Sequence, residues 1–129
     1  MIWVDASVWL EIALGQERMQ KCKDFLASVA KERLFLADFD VYSIVLTMLK
    51  YKKAASGIRM FLGVLNGFPR IMIFRPSALL VAEAVESMRS QKLTFDDSLT
   101  YACMRDLGIR KLATLDEDFR KLDVELVLR

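Results

Sequence analysis

The sequence predicts an α/β fold: a three-layer α/β/α arrangement around a central, mainly parallel five-stranded sheet. Two observations predict it. Short apolar runs of strand type alternate with segments whose apolar residues recur at helical spacing, the pattern of strand–crossover–strand units. The 129 residues also contain no linker, internal repeat or low-complexity stretch, so residues 1–129 read as one domain. That length is enough to bury a core without disulfides or a structural metal.

The elements follow in order. "IWV" (2–4) is an apolar strand that ends at Asp5. "SVWLEIALG" carries Val8, Trp9, Ile12 and Ala13 at helical spacing, with Gly15 as its stop. "RMQKCKDFLASVAKE" is an amphipathic helix with a stripe of Met19, Cys22, Phe25, Leu26 and Val29. "RLFLA" is the second strand, ending at Asp38, and a helix follows from about Asp40 to Lys53, marked by Val41, Ile44, Val45, Met48 and Leu49. Ile58, Phe61, Leu62 and Leu65 mark another helix, closed by the turn signal "NGFP". "RIMIFR" is the third strand. "PSALLVAEAVESMRS" opens a helix with Ser77 as N-cap. "DDSLTYACMRDLG" is a helix closed by Gly108 at its C′ position. "KLAT" is the fourth strand and "VELVL" the fifth.

Composition narrows the chemistry. The chain has no histidine and two cysteines, Cys22 and Cys103. Ser-His-Asp and Cys-His catalysis are thereby excluded, as are zinc sites that need histidine. The cysteines read as buried thiols. A net charge of +2 is too small to identify a nucleic-acid partner, although it permits local basic patches. No uncharged apolar run approaches the ~20 residues of a membrane span, and "MIWVDAS" lacks the regions of a signal peptide. A cytoplasmic protein without membrane association is expected. At 54% apolar, the chain is also rich enough in hydrophobic residues to bury some of them between subunits.

In an open parallel sheet, ligands bind beyond the carboxyl ends of the strands. Asp5 follows the first strand, Asp38 the second and Asp116 the fourth, while Asp96 and Asp97 open the helix that leads into the fourth. Acids scattered along the chain therefore converge on one edge. Each has a structural alternative. Asp96 or Asp97 alone serves as a helix N-cap, and Asp116 or Asp118 could start a turn at "EDFRKL". Asp5 is harder to explain that way. It ends an apolar strand at the expected sheet centre, with no Lys or Arg before Arg18 to neutralise it. A divalent cation such as Mg²⁺, which takes oxygen ligands and keeps several waters, is a natural partner.

At this point the residues resemble the PIN-domain family, the metal-dependent ribonuclease fold that includes the VapC-type toxins. "VDASVW" looks like the family's opening strand, with its first acid at Asp5 and a small hydroxyl residue at Ser7. "FDDSLTYACMRDLG" resembles the helix that begins with the third acid, here Asp97. "LATLDEDF" resembles the Thr-x-Asp-x-Asp-Phe signature, with the fourth acid at Asp116 and an accessory one at Asp118. Each segment alone is weakly specific. In this order, across nearly the whole chain, they are specific together.

The resemblance implies hydrolysis of RNA phosphodiesters with one or two Mg²⁺ or Mn²⁺ ions held by Asp5, Asp97 and Asp116. Asp118, Ser7 and Thr114 would orient ligands or water. A homodimer and an antitoxin protein as partner are further implications. One departure stands out: the family's early glutamate in the helix after the second strand aligns with Ser43, and Asp40, three residues earlier, is the candidate substitute, with Asp38 behind it. Its structural alternative is a plain helix cap. "KYKKAASGIR" offers Lys50, Lys52 and Lys53 as candidate RNA contacts, although a lysine-rich helix end is commonly a solvated face. The alternative function is a catalytically impaired PIN-like module that binds RNA or protein. A phosphoacceptor or phosphatase fold fits less well, because "DAS" stands where such folds place acidic pairs or Asp-x-Asp.

Overall fold

Strand β1 (Ile2–Val4) is the hub of the sheet, because its three residues are apolar on both faces. Side chains alternate across a strand, so Ile2 and Val4 enter one core while Trp3 enters the other. In the computed structural model, which describes residues 1–128, β1 is followed by α1 (Ala6–Ala13), α2 (Met19–Ser28), β2 (Leu34–Ala37), α3 (Asp38–Lys50) and α4 (Ala55–Gly67). Then come β3 (Ile71–Phe74), α5 (Ala78–Gln91), α6 (Phe95–Leu107), β4 (Lys111–Ala113), a 3₁₀ turn at Glu117–Lys121, and β5 (Glu125–Leu126). All four strand pairings are parallel, in the order β3-β2-β1-β4-β5.

Helices cover both faces, and this gives the three-layer α/β/α architecture that the alternation of patterns predicts. The first face packs Ile2, Val4, Leu34 and Leu36 beneath Val8 and Trp9 of α1, Cys22 of α2, Ile44 and Met48 of α3, and Ile58 and Leu65 of α4. The second packs Trp3, Phe35 and Leu112 beneath Leu80 and Ala84 of α5 and Leu99, Cys103 and Met104 of α6. Both tryptophans are core residues. Trp9 donates its indole N–H to the Val4 carbonyl at 3.2 Å and meets Phe61 edge-on, while Trp3 meets Phe74 edge-on. Both cysteines are buried free thiols.

The structure differs locally at three elements. Helix α3 begins at Asp38, two residues before the expected Asp40, because Asp40 reaches back to accept the Ala37 amide at 2.8 Å in the manner of a capping box. That helix also ends at Lys50, earlier than the expected Lys53. Helix α6 is capped by Thr94, whose hydroxyl accepts the Asp97 amide at 3.4 Å, so neither Asp96 nor Asp97 is the N-cap. The last strand covers only Glu125–Leu126 of "VELVL", since only Glu125 and Leu126 find ladder partners on β4.

One core residue bears directly on the acidic stretch after β4. Phe119 is fully buried in the second core and pins the 3₁₀ turn from its middle. Phe119→Ala should lower unfolding stability by about 3–5 kcal/mol, measured by denaturant titration. A loss below ~1 kcal/mol would show that the turn is not anchored there.

Candidate metal centre

In a doubly wound sheet, a crevice opens where strand order reverses, beyond the carboxyl ends of the two strands that part there. Here the chain moves outward from β1 to β2 and β3, then returns to the other side of β1 for β4. The reversal lies between β1 and β4. Asp5 is the first residue after β1, and Thr114, Leu115 and Asp116 directly follow β4. The Asp5 amide donates to the Ala113 carbonyl at 2.9 Å, which carries the ladder one step past the strands and holds the two ends together.

Asp5 is 9% exposed and caps α1. Its Oδ2 accepts three hydrogen bonds: from the Ser7 hydroxyl at 2.7 Å, the Thr114 hydroxyl at 3.0 Å and the Ser7 amide at 3.4 Å. With their protons committed to Asp5, the two hydroxyls offer lone pairs to backbone amides. The Leu115 N–H donates to Ser7 Oγ at 3.1 Å and the Asp116 N–H to Thr114 Oγ1 at 3.0 Å. Ser7 and Thr114 thus tie the start of α1 to the turn after β4. Among the described residues, nothing donates to Asp5 Oδ1.

The other acids reach the crevice from separate elements. Asp97 lies in the first turn of α6, and Asp116 opens the 3₁₀ turn by accepting the Asp118 amide on Oδ1 at 2.9 Å. One carboxylate oxygen from each of Asp97, Asp116 and Asp118 falls within 4.8 Å of the others. A Mg²⁺ with ligands at about 2.1 Å spaces its oxygens at most ~4.2 Å apart, so small side-chain rotations would close the set. The donors are all carboxylate oxygens, which suits a hard cation such as Mg²⁺ or Mn²⁺. Asp118 belongs to this tight trio. Asp5 stands just outside it but is coupled to it by charge.

The electrostatics reflect the crowding and burial of these carboxylates. Burial raises the Asp5 carboxyl above its ordinary value, opposed by the hydrogen bonds from Ser7 and Thr114 and reinforced by the Asp116 charge. Asp97 is pushed up to about 7 by burial and by the charges of Asp116 and Asp5. Asp40 is also pushed up to about 7, by burial first and then by Asp5, Asp96 and Asp38, against the Ala37 amide that stabilises its charge. Asp40 therefore feels the charge of Asp5 from α3. Burial and the charges of Asp40, Asp106 and Asp38 push the Cys103 thiol up to about 12, so it stays a protonated core group.

Other candidates fall elsewhere. The backbone carbonyl of Ser43 accepts the Thr47 hydroxyl at 2.9 Å, one turn further along α3 than Asp40. Lys50 ends α3, about 20 Å of helix away from Asp38. Lys52 and Lys53 lie beyond it, so the structure does not bring the lysine run to the acids. Sequence reading passed over Arg18, Lys21 and Arg120, which line a pocket of about 650 Å³ together with Thr114 and Asp116. They come from distant segments and share no motif. It also passed over Glu11, a buried acid that accepts the Arg18 amide at 2.6 Å.

Comparison with known proteins agrees with this geometry. The family model described as PIN domain matches residues 2–125. A search of the curated proteins finds no match. Among solved structures, the chain is similar to Mycobacterium tuberculosis VapC20, described as a Sarcin-Ricin loop cleaving toxin. The TM-score is 0.78 at 20% identity, over 98% of this chain and 100% of that one. It is also similar to a toxin–antitoxin complex from Klebsiella pneumoniae, with a TM-score of 0.79 at 14% identity, over 100% of this chain and 98% of that one. At these identities the structural likenesses establish the fold alone.

The raised acids have a measurable consequence. Folded Asp40 and Asp97 titrate at about 7, whereas an unfolded Asp titrates near ~3.9. Between those values the folded state binds more protons, so the stability these groups contribute is complete below about pH 4 and lost as pH rises through about 7. In chelator, the melting temperature should fall between pH 5 and pH 8. Asp97→Asn should flatten that fall, and Mg²⁺ should raise the melting temperature more at pH 8 than at pH 5. A melting temperature that climbs steadily to pH 8 without metal, in wild type and variant alike, would contradict the crowded-acid account.

Proposed function

The chain belongs to the PIN domain family, and from that premise we propose that it is a divalent-metal-dependent endoribonuclease acting on RNA phosphodiesters. The observation that carries the reading is the convergence of Asp97, Asp116 and Asp118, with Asp5 beside them, on the crevice between β1 and β4. Asp5, Asp97 and Asp116 are the proposed ligands of Mg²⁺ or Mn²⁺, and Asp118 is a fourth acid of the catalytic set. When bound, such an ion supplies Lewis acidity and an acidified water.

The protein's own residues hold and orient. Ser7 and Thr114 hold Asp5 through Oδ2, which restricts the rotation of its carboxylate. The Asp118 amide fixes Asp116 in the same way. Asp40 is proposed as the remaining carboxylate in place of the glutamate whose position aligns with Ser43. The raised carboxyl of Asp40, which responds to the Asp5 charge, supports this assignment. No protein nucleophile is required, which suits a chain without histidine.

We further propose that the protein is a toxin of the VapC type, with an antitoxin as partner. The likeness to a toxin–antitoxin complex supports this. A homodimer is supported by exposed apolar side chains on α3, where Tyr42, Leu46 and Leu49 form a stripe at i, i+4 and i+7. No helix among the described residues is long and apolar enough to cross a membrane, and the proposed site of action is cytoplasmic RNA. A second reading, an impaired PIN-like module that binds RNA or protein, is favoured by Ser43 and by Asp40 spending Oδ2 on the Ala37 amide.

RNA cleavage by purified protein with Mg²⁺ or Mn²⁺ separates the two. Asp5→Asn and Asp97→Asn should each reduce cleavage more than a hundredfold, beyond the ~10–100-fold typical of groups that only orient ligands. Persistent cleavage in both variants would point to a contaminating nuclease. An inert wild type on varied RNAs with either metal would support the binding module. For the second-acid assignment, Asp40→Asn should cut cleavage at least ~10-fold, while Ser43→Ala leaves it intact. The reverse ranking would remove Asp40 from the site.

A further inference from the structure

The cations Arg18, Lys21 and Arg120 share one pocket with Thr114 and Asp116, so it opens directly beside the acid cluster. They come from the α1–α2 loop, the first turn of α2 and the 3₁₀ turn. The pocket wall also carries Leu115, Leu126 and Leu128, an apolar surface of the kind a ribose or base can rest on. Beyond Lys21 it continues along α2 as a second open hollow of about 620 Å³ that includes Asp24, Phe25 and Ser28, with Asp24 engaged by the Gln20 side-chain amide at 2.8 Å. A track therefore leads away from the candidate metal centre.

Each cation stands differently toward the acids around it. Lys21 is exposed and makes no ion pair among the described residues. Arg120 pairs with Glu117 at 2.7 Å, but both side chains are about 70% exposed, and such pairs exchange readily with a better anion. Arg18 is held by buried Glu11, which accepts its amide at 2.6 Å and lies 3.8 Å from its Nε. The remaining acid of the pocket is Asp116, whose charge a bound divalent ion would offset. With metal present, the pocket is left with a positive excess next to the reacting phosphate.

We propose that this pocket is a phosphate subsite for single-stranded RNA, holding a backbone phosphate adjacent to the one cleaved, with Lys21 as the principal contact and Arg18 and Arg120 beside it. The subsite rests on the nuclease reading for its role, but it predicts RNA binding that can be measured apart from cleavage. Phosphate contacts of this kind position the strand without reading its bases.

The test is fluorescence anisotropy with a labelled single-stranded RNA oligonucleotide in Ca²⁺, a hard cation that takes carboxylate oxygens and so offsets Asp116, over a range of salt concentrations. Lys21→Glu should weaken binding about tenfold or more. Lys21→Ala should reduce the slope of log K against log salt by ~0.7, the value of one lost single-strand phosphate contact. Arg120→Gln should weaken binding in the same direction. Lys23→Glu, with the same charge change on the same helix but outside the pocket, should alter affinity less than twofold. Melting curves check that all variants fold. Equal effects at Lys21 and Lys23, no effect at Lys21, or no measurable RNA affinity in the wild type would overturn the proposal. With Mg²⁺, Lys21→Ala should raise KM more than it lowers kcat. If the wild type cleaves RNA while Lys21 variants bind as tightly as it does, the subsite alone fails. If the Lys21 effect on binding is present but the wild type cleaves nothing, the nuclease reading fails and the phosphate site stands.

Discussion

The structure turns on carboxylates gathered at one crevice of the sheet, with Asp5, Asp40 and Asp97 buried. A buried charge is costly unless it is paired or well hydrogen-bonded, and like charges within a few ångströms increase the cost. The fold meets part of that cost at Asp5, where two hydroxyls and an amide converge on one oxygen. It leaves the rest unmet, and the raised carboxyls of Asp97 and Asp40 are the result. A chain built only for stability would replace such a cluster with apolar side chains. Its presence at the point of strand reversal is the physical argument behind the proposed cation.

The sheet topology does the gathering. Because β1 lies between strands reached by opposite routes, the first and last acids of the cluster, over a hundred residues apart in sequence, become neighbours through the β1–β4 pairing. The same pairing brings Thr114 to Asp5 and Leu115 to Ser7. Phe119 does comparable work from the other side: buried in the second core, it fixes the turn on which Asp116 and Asp118 stand. Site and core are thus coupled through a few residues that belong to both.

Much of this was legible in the sequence, and the reasons are specific. Asp5, Asp97 and Asp116 could be placed because a strand's carboxyl end, or a helix leading into a parallel strand, fixes its edge of the sheet. The structural alternative of an Asp96 or Asp97 cap for α6 falls away because Thr94, one residue ahead of the helix, serves as its cap. The start of α3 was misplaced because Ala37 has no capping side chain and its amide is served from three residues downstream. Lys50, Lys52 and Lys53 were candidate RNA contacts by charge alone, and the length of α3 carries them away from the acids. Arg18, Lys21 and Arg120 could not be found by motif, since only the folded crevice makes them neighbours.

In the proposed site, Asp40 would serve both folding and chemistry. Its Oδ2 accepts the Ala37 amide and so begins α3, which anchors Ile44 and Met48 in the first core. That bond also fixes the carboxyl group's orientation, and no group among the described residues donates to Oδ1. A glutamate one turn later on the helix would reach toward the crevice with a longer, freer side chain. An aspartate at the helix start is shorter but begins nearer the carboxyl edge, and its cap bond restricts rotation. The trade would be reach for preorganisation, and under the proposed assignment it would keep the carboxylate count at the crevice without a glutamate at position 43. Asp5 and Asp40, each spending one oxygen on a helix start, would then present their second oxygens to the same ion from two different helices.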